Sequence, residues 1–317
     1  MNRLTVRPLA VAPASGGHLL TTLSTIGEDS FYPMVVHNGN RERLPQPAKH
    51  LGQHFLTDPG IARRIVGALD PALLEELPVL EIGPGRMILT RILAEKVRRL
   101  VLIEKDARLL PALREQLSFL GPELEIRLAD ALEDPFDLWE APYLLVSNLP
   151  YNISVPLFMK ILSAPEPPRQ AVLMFQKEVG ERIVAGPGGK SYGSLSVATA
   201  LLSEANPLFN IRPGSFFPPP KVHSMVLSFR PRPSRLDPAV SGAIHLARCA
   251  FAYRRKTLRN AFGNSLPPHF HEVVEIFFSG NPDLAALRPE AIPPEGWLGI
   301  SRTFRAHNPG IFDTIIK

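Results

Sequence analysis

From Ile61 the chain settles into a regular alternation of amphipathic stretches and short apolar runs. "IARRIVGAL" (61–69) repeats its apolar residues at three- and four-residue intervals, the spacing of one helix face. "PVLEIGPG" (78–85) then reads as a short apolar strand ending in glycines. A helix in "ILTRILAEKV" (88–97), a strand in "RLVLIEKD" (99–106), a helix in "ARLLPALREQLSFL" (107–120) and a strand in "LEIRLAD" (124–130) follow. The same rhythm continues with strands in "YLLVSNLPY" (143–151) and "AVLMFQ" (171–176) and helices in "VPLFMKILS" (155–163) and "KEVGERIVA" (177–185). Strands that alternate with helices of this length predict right-handed crossovers and a largely parallel sheet. The strand runs are almost wholly apolar, as they must be when helices cover both faces.

After "VHSMVLSFRPRP" (222–233) the alternation stops and helical patterns take over, notably "AIHLARCAFAYRRKTLRNAF" (243–262) and "HFHEVVEIFF" (269–278). The expected organisation is therefore an α/β domain over 48–233 and a small helical domain over 234–317, divided at the proline-rich joint Pro231–Pro233. Residues 1–47 lack sustained periodicity and read as a flexible extension. Their first 27 residues carry no acid and include Arg3, Arg7 and several Ser and Thr, a faint echo of a mitochondrial transit peptide. The glycine and proline breaks make a poor amphipathic helix, so a cytoplasmic location is the expectation.

Composition narrows the classes. Hydrophobic residues are 45% of 317, enough for a full core, and no apolar run is long enough to span a membrane. A single cysteine, Cys249, excludes an internal disulfide and a cysteine-based zinc site, and no metal is expected. Cys249 lies in an apolar helical stretch and reads as core. The formal charge of +5 favours anionic partners without identifying one. The 34 prolines fall mostly between periodic segments, as rigid connections.

Chemistry enters at the strand ends. In open α/β sheets ligands sit at the carboxyl ends of the strands, where glycines let the backbone approach them. "EIGPG" (81–85) occupies such an end, and Glu104 closes the next strand, placed to accept both hydroxyls of a ribose. The dinucleotide fingerprint needs a third glycine at position 88, which is Ile88, so a nicotinamide oxidoreductase is disfavoured. An acid leading the glycine turn suits a ligand with a positive end, and S-adenosylmethionine has one. Asp130 could then receive the adenine amino group. "NLPY" (148–151) ends the next strand. Methylating an exocyclic amine calls for acceptors that hold both amino hydrogens and turn the lone pair toward the methyl donor. The Asn148 side-chain oxygen and a carbonyl at Leu149 or Pro150 can supply them, and Tyr151 offers a face for an extruded base.

With "KHLGQHFLTD" (49–58), "QKEVGERIVAGPGGKSYGSLSV" (176–197), "FFPPPKVHS" (216–224) and "RRKTLRNAF" (254–262), these motifs run in order from about residue 48 to past 262. The chain thereby resembles the KsgA-type small-subunit ribosomal RNA adenine dimethyltransferases. The resemblance implies a Rossmann-like S-adenosylmethionine-dependent methyltransferase domain, a helical rRNA-binding domain, and conversion of two adjacent adenines near the 3′ end of small-subunit rRNA to N6,N6-dimethyladenosine. It implies cofactor contacts at His54, Leu56, Gly83, Gly85, Glu104, Asp130 and Asn148, and catalytic roles for Asn148, Leu149, Pro150, Tyr151 and Phe216, the last closing over the base opposite Tyr151. Arg254, Arg255, Lys256 and Arg259 are expected on one amphipathic helix facing RNA phosphates, with Lys177, Arg182 and Lys190 extending that surface. The partner is small-subunit rRNA in a pre-ribosomal particle, and the protein is expected to be a monomer. His54 stands where the family often has asparagine, and Met87 where it usually has glycine or alanine. The alternatives are a large-subunit rRNA adenine methyltransferase of the related resistance family, and a ribosome-assembly or mitochondrial transcription factor that has lost methyl transfer.

Overall fold

In the computed structural model the described residues are 34–37, 40–43, 45–48, 52–136 and 142–307. Within the stretch expected to be flexible, strands β1 (Met34–His37) and β2 (Asn40–Arg43) pair antiparallel. This pairing belongs to a unit of its own, residues 1–44, and the rest of the chain from residue 45 forms the second.

The second unit begins with β3 (Phe55–Leu56) and α1 (Pro59–Val66). Asp58 caps α1, accepting from the Gly60 and Ile61 N–H groups at 2.8 and 3.1 Å, with Pro59 preset for the first turn. Such a cap is worth about 1 kcal/mol. After α2 (Pro71–Glu76) the alternation runs β4 (Val79–Ile82), α3 (Ile88–Ala94), β5 (Leu100–Glu104), α4 (Leu110–Gln116) and β6 (Leu124–Leu128). It continues through β7 (Leu144–Asn148), α5 (Ser154–Ser163), β8 (Gln170–Gln176), α6 (Lys177–Ile183) and α7 (Ser194–Leu202). Then come β9 (Ser203–Ile211), β10 (Phe216–Phe217) and β11 (Ser224–Pro231).

Seven strands form one sheet in the order β6-β5-β4-β7-β8-β11-β9. The first five are mutually parallel, and β11 runs antiparallel to both β8 and β9. Strand β4 has its sequence successor β5 on one side and β7 on the other, so the order reverses there. That reversal opens a crevice at the carboxyl ends of β4, β5 and β7, where this architecture binds ligands. All residues of β4 and β5 are buried, which explains why both are apolar apart from Glu81 within β4 and Glu104 at the end of β5.

The chain leaves the sheet at Pro231 and builds α8 (Ala239–Ala252), α9 (Leu258–Ser265), α10 (His271–Gly280), α11 (Pro282–Ala286) and α12 (Pro294–His307). Helices α8 and α12 pack against α7, and one apolar cluster runs without a break from Leu80 of β4 to Phe304 of α12. Phe158, Phe175 and Phe229 anchor the sheet side, with centroids 4.7–6.1 Å apart. Phe262, Phe278, Trp297 and Phe304 anchor the helical side. No helix among the described residues is long and apolar enough to cross a membrane.

The expected continuous helix over 243–262 is broken. Helix α8 ends at Ala252 and α9 starts at Leu258, so Arg254, Arg255 and Lys256 lie on the turn between them. The buried stripe of α8 runs through Leu246, Ala247 and Ala250. A further helical turn would carry Arg254 onto that stripe, four residues after Ala250, where its charge would be desolvated.

Candidate active site

The cleft at the reversal point is lined by Gln53, His54 and Phe55, by Gly83 and Gly85, by Glu104 and Lys105, by Ala129 to Ala131, and by Asn148 to Ile153. Of the residues expected there, His54, Gly83, Gly85, Glu104, Asp130, Asn148, Leu149, Pro150 and Tyr151 are brought together. Leu56 and Phe216 are not. Both are buried in the antiparallel pairing of β3 with β10, directly opposite one another. Side chains alternate along a strand, so it is Phe55 that faces the glycine turn, and Leu56 points away from it.

The glycine turn holds two left-handed residues in close succession. Gly83 has φ 68° with nothing within 4 Å of where a Cβ would sit, so this position leaves open room. Gly85 has φ 54°, and a Cβ there would lie 2.8 Å from the Phe55 ring. Met87 also has a positive φ, 64°, and caps α3. Its side chain is fully buried beneath the turn, so the departure from a small residue packs into the core and leaves the cleft clear. Holding a non-glycine residue in this region costs about 1–2 kcal/mol, which burial of a methionine side chain offsets.

Glu104 is buried at the end of β5. One carboxylate oxygen accepts from the Asp106 N–H at 2.8 Å and the other from the Gly85 N–H at 3.2 Å. Burial pushes its carboxyl upward, with the neighbouring Asp106 adding to this, while those N–H groups oppose it. Asp130 pairs with exposed Lys105 at 2.6 Å, and its other oxygen accepts from the Leu132 N–H at 2.9 Å. These contacts, Lys105 first, hold its carboxyl below the ordinary range.

Asn148 closes β7. Its Nδ2 donates to the His54 carbonyl at 3.0 Å, and among the described residues nothing donates to its Oδ1. The His54 Nδ1 lies 2.7 Å from the Pro218 carbonyl, so that nitrogen carries the hydrogen and donates. The His54 ring stacks on Tyr151 at 5.5 Å, and the Tyr151 hydroxyl bonds Ser224 Oγ at 2.7 Å. His54 therefore braces the amide through its carbonyl and the tyrosine through its ring. Asparagine could supply the first contact and not the second.

Glu81, which leads the glycine turn, lies inside β4 and does not line the cleft. It is 1% exposed, and its Oε2 makes no hydrogen bond. The expectation that it faces the positive end of a ligand is corrected, because strand alternation turns it into the layer beneath. Burial, with repulsion from Glu104, raises its carboxyl from 4.5 to about 8 against the opposing Thr90 hydroxyl. The unfolded chain loses this proton at the lower value while the folded chain keeps it. Its contribution to stability is thus complete below the lower value and is lost as pH rises through the higher one. In Glu81→Gln, the urea midpoint should fall less between about pH 5 and about pH 9 than in the wild type, by on the order of a few kcal/mol in stability. Parallel midpoint-against-pH curves for the two proteins would contradict this.

The expected RNA-facing bases divide into two groups. Arg254 donates to Glu290 at 2.8 Å and to the Lys190 and Gly189 carbonyls at 2.7 and 3.0 Å, tying three loops together. Arg259 reaches Glu275 at 3.8 Å and lies 5.7 Å from the Phe278 ring, bracing α9 on α10. Lys177 opens α6 and pairs loosely with Glu181. Arg255 and Lys256 are exposed, as are Arg182 and Lys190. Gln53 and Asp106 escaped sequence reasoning. Gln53 donates to Asp106 at 3.1 Å, and Arg108 clamps the same carboxylate at 2.6 Å. Gln53 stands inside the quoted motif at 49–58, but its spelling does not say that it meets Asp106.

A cleft of carboxylates, an amide oxygen and an open glycine turn offers acceptors to a ligand with hydroxyls, an amino group and a positive end, which fits S-adenosylmethionine. Fold and site together define a methyltransferase of the Rossmann-like class. The family model for ribosomal RNA adenine dimethylase matches residues 46–292. A ribosomal RNA small subunit methyltransferase A of Methylobacterium radiotolerans is 42% identical over 270 residues, covering 83% of this chain and 90% of the relative. The protein of that name from Wolbachia pipientis wMel is 40% identical over 77% of this chain and 86% of its own length. Among solved structures, a dimethyladenosine transferase from Plasmodium falciparum superposes with TM-score 0.68 at 26% identity, over 83% of this chain and 98% of that one. The 23S rRNA methyltransferase ErmE gives 0.59 at 27%, over 79% and 99%. The chain belongs to the ribosomal RNA adenine dimethylase family, whose chemistry implies S-adenosylmethionine as methyl donor.

Proposed function

We propose that this protein transfers methyl groups from S-adenosylmethionine to the N6 atoms of two adjacent adenines near the 3′ end of small-subunit rRNA, as a monomer acting on a pre-ribosomal particle in the cytoplasm. In this reading residues 48–233 carry the chemistry and 234–317 hold the rRNA. The observation that carries it is the Asn148 amide, oriented by the His54 carbonyl so that its oxygen stays available beside Leu149 and Tyr151. The Pro150 carbonyl already accepts from the Ile153 N–H at 3.1 Å, which favours the Leu149 carbonyl as the second acceptor. These two oxygens would hold the amino hydrogens while the base stacks on Tyr151. The bound donor would supply the electrophilic methyl. Glu104 would take the ribose hydroxyls and Asp130 the adenine amino group, with no metal required.

Small-subunit naming of relatives at 40–42% identity favours this branch over the large-subunit one, whose representative matches at 27%. The retained acceptor set in the cleft favours an active enzyme over an assembly factor that has lost transfer. Primer extension on small-subunit rRNA from particles treated with protein and S-adenosylmethionine tests the reading. Two adjacent stops near the 3′ end are expected, and their absence, or label entering large-subunit rRNA instead, would overturn it.

Arg255 and Lys256 make no ion pair among the described residues, which suits phosphate contacts. Arg255→Glu with Lys256→Glu should weaken RNA binding and flatten the plot of log affinity against log salt by about 1.5. An unchanged slope would remove this turn from the interface. Arg254 is left out of that test because its loss would loosen the turn itself.

A further inference from the structure

Lys160 lies on α5, the helix that follows "NLPY", and reaches away from the sheet core to the loop after β6. Its ammonium donates to the Ala131 carbonyl at 3.0 Å, to the Leu132 carbonyl at 2.8 Å, and to the Asp134 carbonyl. The Phe136 ring closes the fourth side, 4.5 Å from Nζ. An ammonium has three N–H donors, and here each meets a main-chain oxygen. Three carbonyl dipoles converging on one point repel each other unless a cation stands between them.

The loop so gathered carries the adenine end of the cleft. Ala129, Asp130 and Ala131 line it, and the Asp130 carbonyl accepts from both the Glu133 and the Asp134 N–H at 2.9 Å. Asp130 Oδ1 also accepts from the Leu132 N–H. The conformation that presents the Asp130 carboxylate is thus the one whose carbonyls at Ala131, Leu132 and Asp134 are gathered by Lys160. Lys105 grips the Asp130 carboxylate from the exposed side and, among the described residues, donates to no carbonyl of the turn, so it does not fix the backbone.

We infer that Lys160 is a positioning residue for donor recognition, an internal cation that ties the adenine-reading turn to the helix carrying the methyl-acceptor motif. Removing it would let the turn relax and Asp130 swing out of register with the adenine amino group, while Glu104 and the glycine turn stay in place on other strands. The inference rests on the proposed reading of the cleft as the S-adenosylmethionine site.

The test compares two product-like ligands on the full-length protein by calorimetry, S-adenosylhomocysteine and S-inosylhomocysteine. They differ in whether the ring carries the amino group that Asp130 would accept. The wild type should prefer the adenine ligand by about tenfold, the worth of one well-placed hydrogen bond to a charged acceptor. Lys160→Met should bind S-adenosylhomocysteine about tenfold more weakly and show almost no preference. Its donor KM should rise far more than its kcat falls. Lys160→Arg, which keeps the charge on a planar fork, should show an intermediate preference and serves as the test if the methionine variant does not fold. A merely structural lysine would lower thermal stability and leave the preference intact, which would overturn the inference. A wild type that binds S-adenosylhomocysteine without any preference would overturn it too, sparing the donor reading. A wild type that binds neither ligand would instead sink the proposed function, and this inference with it.

Discussion

Asn148→Ala should fold and bind RNA like the wild type and lose methyl transfer by about 10²–10³-fold even at saturating donor, the usual cost of removing one preorganised hydrogen-bonding group aimed at the reacting atom. The amide meets the requirements of such a group. Its Nδ2 is fixed on the His54 carbonyl at 3.0 Å, so the oxygen is directed without searching rotamers. Deletion leaves that carbonyl short of a donor, at a stability cost of about 1 kcal/mol, too little to unfold the protein. Asn148→Asp is the sharper control. It restores an oxygen but sets a carboxylate against the His54 carbonyl, so the side chain should turn away and recover little activity. Single-turnover rates with saturating donor read the chemical step directly. A rate within tenfold of the wild type for the alanine variant would show that the amide is not part of the catalytic device.

The strands that build the cleft were legible because they are buried on both sides. Mostly apolar runs fill β4, β5 and β7, with Glu81, Glu104 and Ser147 the buried exceptions, and their order of appearance with helices between them favours the parallel sheet. Strand β9 was not legible. It is an edge strand with mostly exposed residues and Pro207 within it, placed where the register shifts against β11 between Val226 and Leu227. Proline is tolerated at such a place and at few others in a sheet, so local spelling argued against a strand that tertiary pairing created. The same distinction runs through the site. Glu104 and Asn148 reach the cleft because each ends a strand, and Asp130 because it follows the end of β6 by two residues, positions that pattern nearly fixes. Leu56 and Glu81 fall outside the cleft lining because sequence gives the strand and not its facing. Lys160, Gln53 and His54's double bracing depend on loops meeting across the chain, and no spacing encodes that. Arg254 shows the converse case: a basic run on an apparent helix resolved into a turn, with one of its charges committed to internal carbonyls.

Glu104 should dominate donor affinity and give it a pH dependence of definite sign. A ribose diol donates two hydrogen bonds to this carboxylate in the proposed complex, each to a charged acceptor and worth about 1.5–3 kcal/mol. Glu104→Gln keeps size and removes charge, but its amide nitrogen would face the Gly85 or Asp106 N–H that the wild-type oxygens now accept. Donor binding should weaken by about 10²-fold or more. In the free protein, burial raises the carboxyl above 4.5, so it takes up a proton at a higher pH than an ordinary glutamate. Affinity in the wild type should accordingly fall as pH drops through that raised value. Because the bound hydroxyls favour the ionised form, binding near it should release protons. Calorimetry in two buffers of different ionisation enthalpy measures that release, and the glutamine variant should show none of it from this position. The folding contribution of the same group has the opposite sense: a raised carboxyl favours the folded state at low pH and loses that contribution as pH rises through the folded value. Acidification would therefore weaken ligand binding at Glu104 without destabilising the fold there, a separation that simple acid unfolding cannot produce. A glutamine variant within threefold of wild-type affinity, or with an unaltered pH profile, would move the ribose away from Glu104.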